Sequence, residues 1–553
     1  MYMPYQTSRS SPQAPSSRYG LSQHSLGRRL FASLTSIYTQ PLAATIFKHF
    51  PLHHTLPSTT PADSLPQAEE VRIDVPMADI SFQDGFANII DGKKVTSPTT
   101  ADIINPATEE LFTRVPVATA AQLDDAILAA ERAFPAWSAT PWEARQAALS
   151  KLADLMDQHA EQFAQLLMRE VGKDRASAGF ELSISSPWLR GVSKQKLEDE
   201  VRTEASGRIS KIRFRPFGVV AGICPFNFPL TLCVNKFAQA ILAGNCMILK
   251  APPTAPCVVL KFVELAQTVL PPGVLQVLNG GNDLGQLMVK HPRIMRVSMT
   301  GSTAAGKSIM REAADELKSV TLELGGNDPA IVLDDVDVKQ VAQMLFLGAT
   351  HNAGQVCFTM KRLFVHERIY DAVKAELVAM AKEVKMGNPF DPDVTMGPVQ
   401  NRAQYDRLQS LLADCKEHGY KIAYQSEARP EGEKGYFVPL TILDNPPDEC
   451  RVVREEQFGP IVPLLKWKDD DEVIRRANGT EFGFTSSVWG RDMDRVQRIA
   501  DKLYHGMVWV NEWGAVSADH PMGGTKHSGV GVECSKHGLS SWTFVQSFVV
   551  RNP

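Results

Sequence analysis

Between residues 219 and 324, short apolar runs alternate with longer stretches in which apolar positions recur at helical spacing. The pattern predicts strand and helix in turn over 219–224, 230–242, 246–250, 258–270, 275–278, 284–289, 295–300, 304–317 and 320–324. Strands this short and this apolar are buried on both faces, so the alternation predicts a parallel sheet covered by crossover helices. Ahead of it, Thr119-x-x-Gln122 reads as a capping box before Leu123, Ala126, Ile127, Ala130 and Phe134. Thr140-Pro141-Trp142-Glu143 reads as the start of a second helix, with Thr140 as its cap, running to about Val171. Residues 330–333 and 362–365 suggest strands of a second α/β domain, and the Gly/Pro-rich stretch 424–436 reads as a surface loop. Residues 208–216 alternate apolar with basic, and 542–550 alternate again; these two strands are expected to pair and to form an oligomer contact.

Composition adds bounds. A chain of 553 residues, 44% hydrophobic, should build more than one core. With 58 basic and 62 acidic residues its net charge is −4, so bulk electrostatics favours neither nucleic acid nor membrane as a partner. The eight cysteines are scattered without metal-ligand spacing, which predicts a reducing compartment and no metal. Residues 1–62 carry no Asp or Glu but do carry Arg9, Arg18, Arg28, Arg29 and Lys48. That composition fits a transit peptide, hence a mitochondrial protein, or an unstructured extension on a cytoplasmic one.

Candidate chemistry sits on the loops of this frame. Cys357, in Gly354-Gln355-Val356-Cys357-Phe358, is a candidate nucleophile, since a thiolate adds readily to carbonyl carbon. A lone cysteine is more often a small buried apolar residue, and its weight here comes from its company. That company is Cys-Pro-Phe-Asn-Phe-Pro at 224–229, Gly-Ser-Thr at 301–303, Leu-Glu-Leu-Gly-Gly at 322–326, Glu-Glu-Gln-Phe-Gly-Pro at 455–460 and Pro-Met-Gly-Gly-Thr-Lys at 521–526. Read singly, Asn227 before Phe-Pro is an ordinary turn residue and Glu456 a solvated acid, whereas Glu323 between leucines would be an expensive residue to bury without a role. Gly301 to Ser308 also fits G-x-x-x-x-G-K-[ST], with 330–334 as an acidic strand, which keeps a nucleoside triphosphatase open. The same turn serves equally as a dinucleotide site at a helix N-terminus, or as plain tight packing.

Taken together, and in this order, these segments resemble the aldehyde dehydrogenase superfamily from about residue 85 to the C-terminus. The resemblance implies a Rossmann-like dinucleotide-binding domain (81–197 and 217–325), an α/β catalytic domain (326–534) and a β-ribbon oligomerisation element (198–216 and 535–553), after an extension over 1–80. It implies oxidation of a small-molecule aldehyde to the acid by a homodimer or homotetramer, with Cys357 as nucleophile, Asn227 holding the oxyanion and Glu323 as general base. It implies a dinucleotide held by Lys250, Gly301, Ser302, Glu456, Phe458 and Phe226. NAD is the first expectation, and because Pro253 stands where many NAD-specific members carry a glutamate, NADP is compatible too. The Cys-Pro-Phe-Asn-Phe-Pro segment is also similar to the branch that passes its acyl group to coenzyme A, but that branch lacks the glutamate retained here as Glu323, so hydrolysis is expected. The positions matching the family's substrate tunnel are Phe228, Asn235, Val516 and Met522, which predicts a roomy mouth of mixed polarity and a medium-sized apolar or aromatic aldehyde. The alternative function is a dinucleotide-binding scaffold without turnover.

Overall fold

The computed structural model describes residues 80–551, apart from 205–206 and 428–431. The predicted alternation forms a sheet whose centre is five parallel strands, in the order Leu275–Asn279, Cys246–Ala251, Val219–Ile223, Arg296–Thr300 and Ser319–Glu323. The first four of these strands are buried along their whole length, and the fifth at its last three residues, as apolar runs under helices on both faces require. The two flanks of this sheet come from far away in sequence. Asn88–Ile90, paired with Lys93–Val95, adds antiparallel to one edge, and Gly529–Val530 adds antiparallel to the other. The sequence reading put 529–530 with the catalytic segment, but its backbone completes the first sheet.

A second sheet runs Ile422–Gln425, Thr441–Asp444, Ile461–Trp467, Met360–His366, Asp328–Val332, Thr485–Trp489, Met507–Val510, parallel except for the first pair. The polar stretch assigned to a loop from 424 therefore begins inside a strand. A third, antiparallel sheet pairs Thr543–Arg551 with Arg208–Pro216 through nine residues, and Glu200–Thr203 closes its far side.

Local signals decide the helices. Thr119 caps Ala120–Ala139 in a complete capping box with Gln122. Thr140 does not cap the next helix, because its hydroxyl donates to the Ala136 carbonyl and so belongs to the end of the helix before. The segment expected as one helix to Val171 is two, Trp142–Gln158 and Ala160–Glu170, broken at His159 (φ −107°, ψ 20°). None of the helices among the described residues is long and apolar enough to cross a membrane. The expectations for residues 1–62 lie outside the described residues.

Candidate active site

The helix Val338–Thr350 ends in a kinked turn, His351–Gly354, where three successive residues take left-handed backbone: Asn352 (φ 52°), Ala353 (φ 53°) and Gly354 (φ 73°). Alanine in that region costs about 1–2 kcal/mol, so neighbours must hold it. Gly354 meets the Gly459 carbonyl where a Cβ would stand, so only glycine fits. Gln355 pins the turn further: its Nε2 donates to Asn352 O (3.1 Å) and its Oε1 accepts from Gln400 N (2.9 Å). The turn delivers Cys357 to a partly exposed position, while the other seven cysteines are all buried.

Asn227 approaches from the end of Val219–Ile223 and donates its side-chain Nδ2 to Gln355 O at 3.0 Å, while its own carbonyl accepts from Asn352 Nδ2 at 3.3 Å. The second Nδ2 proton of this 4%-exposed amide is not needed for that bond. Gly325-Gly326 explains the Leu-Glu-Leu-Gly-Gly run by close approach. A Cβ on Gly325 would collide with the Glu456 carboxylate, and one on Gly326 would come within 2.7 Å of the Cys357 carbonyl oxygen. Glu456 Oε1 accepts from Gly326 N (3.0 Å) and stands 3.5 Å from Lys361 Nζ. Lys361 Nζ also donates to Cys357 O (2.7 Å) and Val356 O (3.0 Å), a clamp that sequence reading missed although it lies one strand turn beyond the cysteine.

Glu323 ends its strand 2% exposed, and neither carboxyl oxygen has a hydrogen-bond partner. Burial holds its carboxyl well above the usual range, the charge of Glu533 raises it further and Lys236 opposes both. Those two neighbours form a network of their own. Lys236 Nζ bonds Glu533 Oε1 (2.9 Å), Ser298 Oγ (3.1 Å) and Thr300 Oγ1 (2.8 Å), and Glu533 also accepts from Ser298 Oγ and Asn235 Nδ2 (2.5 Å each). Although Cys357 as a residue is partly exposed, the atoms packed around its sulfur keep water from it and push the thiol up; Lys361 pulls it down, and Glu323, Asp328 and Glu456 add to the rise. Asp328, bound to Thr485 N and Oγ1, is itself pushed up to about 7 by burial.

The expected dinucleotide residues line the carboxyl ends of the first sheet. Lys250 is buried, burial lowers it to about 8, and its Nζ donates to the carbonyl of its neighbour Ala251 at 3.3 Å. Gly301 and Ser302 precede the helix Thr303–Ala314, whose Ala305 N donates to Ser302 Oγ. Phe226 and Phe458 meet edge to face with centroids 6.0 Å apart. A buried cation at one strand end, first-turn amides at another two strands away and a glutamate beside two half-buried rings make a donor set that fits a ribose, a diphosphate and a flat ring. Lys307 points into solvent from within that helix, and Asp334 is held by Arg368 (2.8 Å) and Arg495 (3.0 Å) on the other sheet, so the triphosphatase pattern has no assembled site.

The tunnel positions separate. Phe228 stands with Leu232 and Val356 against Phe180, Ile184 and Phe358, and Val516 is half-buried against the main core. Asn235 is 1% exposed and committed to Glu533 and to the Cys534 thiol (3.2 Å), and Met522 is backbone-paired with Glu533. Among the described residues there is no cluster of side chains able to hold a metal.

Residues 94–548 match the family described as the aldehyde dehydrogenase family. Among curated relatives, aldehyde dehydrogenase LUC3 from a Fusarium species is 40% identical over 457 residues, covering 83% of this chain and 97% of that one. The NAD+ complex of an aldehyde dehydrogenase from Bacillus cereus superposes with a TM-score of 0.82 at 33% identity, over 85% of this chain and 97% of that one. An Escherichia coli NADP dependent enzyme gives 0.81 at 32%, over 84% and 98%. With its two α/β sheets and its cysteine loop, the chain belongs to the aldehyde dehydrogenase family.

Proposed function

We propose that the protein oxidises an aldehyde to the free carboxylic acid through a thioester on Cys357, with NAD or NADP as coenzyme. The observation that carries this reading is the convergence of Asn227, Gly326 and Lys361 on the loop of the one cysteine that is not buried. The Cys357 thiolate attacks the carbonyl carbon, and the charge that moves to oxygen is met by the free Asn227 amide proton and the Cys357 N–H. When bound, the dinucleotide supplies the acceptor for the hydride that leaves the tetrahedral carbon. Lys250, Gly301 and Ser302 are suited to its ribose and phosphates, Glu456 through Oε2 to the second ribose, and Phe226 and Phe458 to the flat ring. Glu323 then takes a proton from water as the water adds to the thioester, and collapse releases acid and thiolate. A carboxyl without partners is free to accept that proton, which a salt-bridged one is not.

Pairing of Thr543–Arg551 with Arg208–Pro216 leaves Phe544, Val545, Phe548 and Val549 exposed, which supports association into a homodimer or homotetramer through this sheet. The acid product is tested with Cys357→Ala and Glu323→Gln. The first is expected to abolish aldehyde-dependent coenzyme reduction while retaining dinucleotide binding. The second is expected to show a burst of reduction and then turnover slowed about 10²–10⁴-fold. Full steady-state turnover in either variant would remove the corresponding role.

A further inference from the structure

Along the strand Met360–His366, Lys361 turns one way to clamp the Cys357 carbonyl, and Arg362 and Phe364 share the other face. On that other face a cavity of about 280 Å³ lies between the strand, the segment 448–454 and the end of the helix Asp470–Asn478. Four arginines line it, Arg362, Arg454, Arg475 and Arg476, against two acids, Asp448 and Glu449. Phe364 backs two of them, its ring centroid 5.5 Å from the Arg362 guanidinium and 5.0 Å from that of Arg476.

The charges are unequally met. Arg476 bonds both oxygens of Asp448 (2.6 and 2.8 Å) and meets Glu472 at 3.1 Å. Arg362 is 1% exposed and donates only to carbonyls, those of Asn327 (2.8 Å), Arg476 (3.0 Å) and Ala477 (2.8 Å). The last two close a helix, whose end carries about half a negative charge and so offsets the guanidinium in part. Burial lowers Arg362 to about 10, Asp328 and Asp448 oppose the fall and Arg454 and Arg476 add to it, so the group is still a cation at neutral pH. Arg454 donates to the Gly479 carbonyl at 2.8 Å. Among the described residues, no carboxylate lies within ion-pair distance of Arg362, Arg454 or Arg475, and Glu449 is exposed and has no ion-pair partner. Thr480 lines the same cavity, and its hydroxyl is buried without a hydrogen-bond partner.

Guanidiniums gathered without carboxylates repel one another and favour an anion among them. We infer that this cavity binds a phosphate group, as inorganic phosphate or as the head of a small phosphate ester. A carboxylate offers two oxygens and a single charge, enough for one guanidinium fork. A phosphate offers three acceptor oxygens and about −1.5 to −2 charges at pH 7, enough for several. The volume is below the roughly 300–1,000 Å³ of pockets for drug-sized ligands, which keeps the organic part of an ester small. Gly301 and Ser302 belong to the first sheet, so this site on the second is separate from theirs, and it does not depend on the chemistry of Cys357.

The test is isothermal titration calorimetry of the whole protein with sodium phosphate and, separately, with glycerol 3-phosphate, against sodium chloride at matched ionic strength. A single phosphate per chain is expected for the wild type. Affinity is expected to fall about tenfold or more in Arg475→Gln. It is expected to rise about two- to fivefold in Glu449→Gln, which removes the unpaired carboxylate at the rim. A residue that only packs would move neither value, and the opposite signs are what an anion in this cavity requires. Tighter binding of glycerol 3-phosphate upholds the inference with an ester as occupant, and equal or weaker binding upholds it with inorganic phosphate. No heat beyond that of chloride would overturn it. Binding that both variants leave unchanged would overturn it too, by placing the anion elsewhere, such as at the amides after Gly301. Arg475 and Glu449 are both exposed, so without phosphate the two variants are expected to melt at the wild-type temperature. If Arg475→Gln does not, Arg454→Gln takes its place and is read the same way.

Discussion

At the scale of single residues, the site is governed by charge held away from water. Glu323 serves as a base only once it has lost its proton, and burial and Glu533 both resist that loss. Activity should therefore rise with pH across the Glu323 titration. Replacing Glu533 by Gln removes a charge that raises Glu323 and leaves Lys236, which lowers it. The acid limb of kcat is then expected to move down by about half to one pH unit; a limb that stays put or moves up would refute the coupling. Lys361 works on the cysteine in the opposite sense. Loss of its charge in Lys361→Met should shift the pH midpoint of Cys357 alkylation by iodoacetamide upward by about one unit, and Lys361→Arg should restore most of it. Equal alkylation profiles in the three proteins would reduce Lys361 to a packing residue. Glu323 was legible in the sequence because leucines and two glycines flank an acid there. The Lys236–Glu533 pair was not, since its partners lie 297 positions apart and each, taken alone, reads as an ordinary charged residue. Nor was the commitment of Asn235, which counting along a helix could not distinguish from a tunnel-facing side chain.

At the scale of elements, strands and caps were legible where one local signal acted alone. The capping box at Thr119 and the strand 208–216 are present as the sequence implies. Thr140 was misread because two helices compete for its hydroxyl and the preceding one takes it. The turn His351–Gly354 could not be read at all. Helical periodicity runs into it, and its left-handed backbone depends on Gln400 and Gly459, which arrive from elsewhere. This turn makes a sharp prediction. Gly354→Ala should lose about 2 kcal/mol or more of stability, from left-handed strain together with the collision at Gly459, and should lose activity with it. Thermal melting alongside kcat checks both, and a variant with wild-type melting would mean that the turn tolerates a Cβ.

At the scale of the whole molecule, alternation along the chain announced a parallel sheet, but not which distant segments close its edges, because edge strands of two or three residues carry no periodic signal. Association through the third sheet can be tested there. Val545→Asp with Val549→Asp places two charges on its exposed strand, and sedimentation velocity is expected to show a smaller species than the wild type. An unchanged sedimentation coefficient would move the contact elsewhere. The antiparallel strand Gly529–Val530 has a temporal meaning as well. It pairs with Leu322 and Glu323, and Glu533 follows immediately as counter-ion to the buried Lys236. A ribosome makes these residues about 200 positions after the strand they complete. The strand edge beside Glu323 and the buried Lys236 therefore gain these partners only once residues 529–533 have emerged, which makes the Glu323 surroundings a late-assembling part of the molecule.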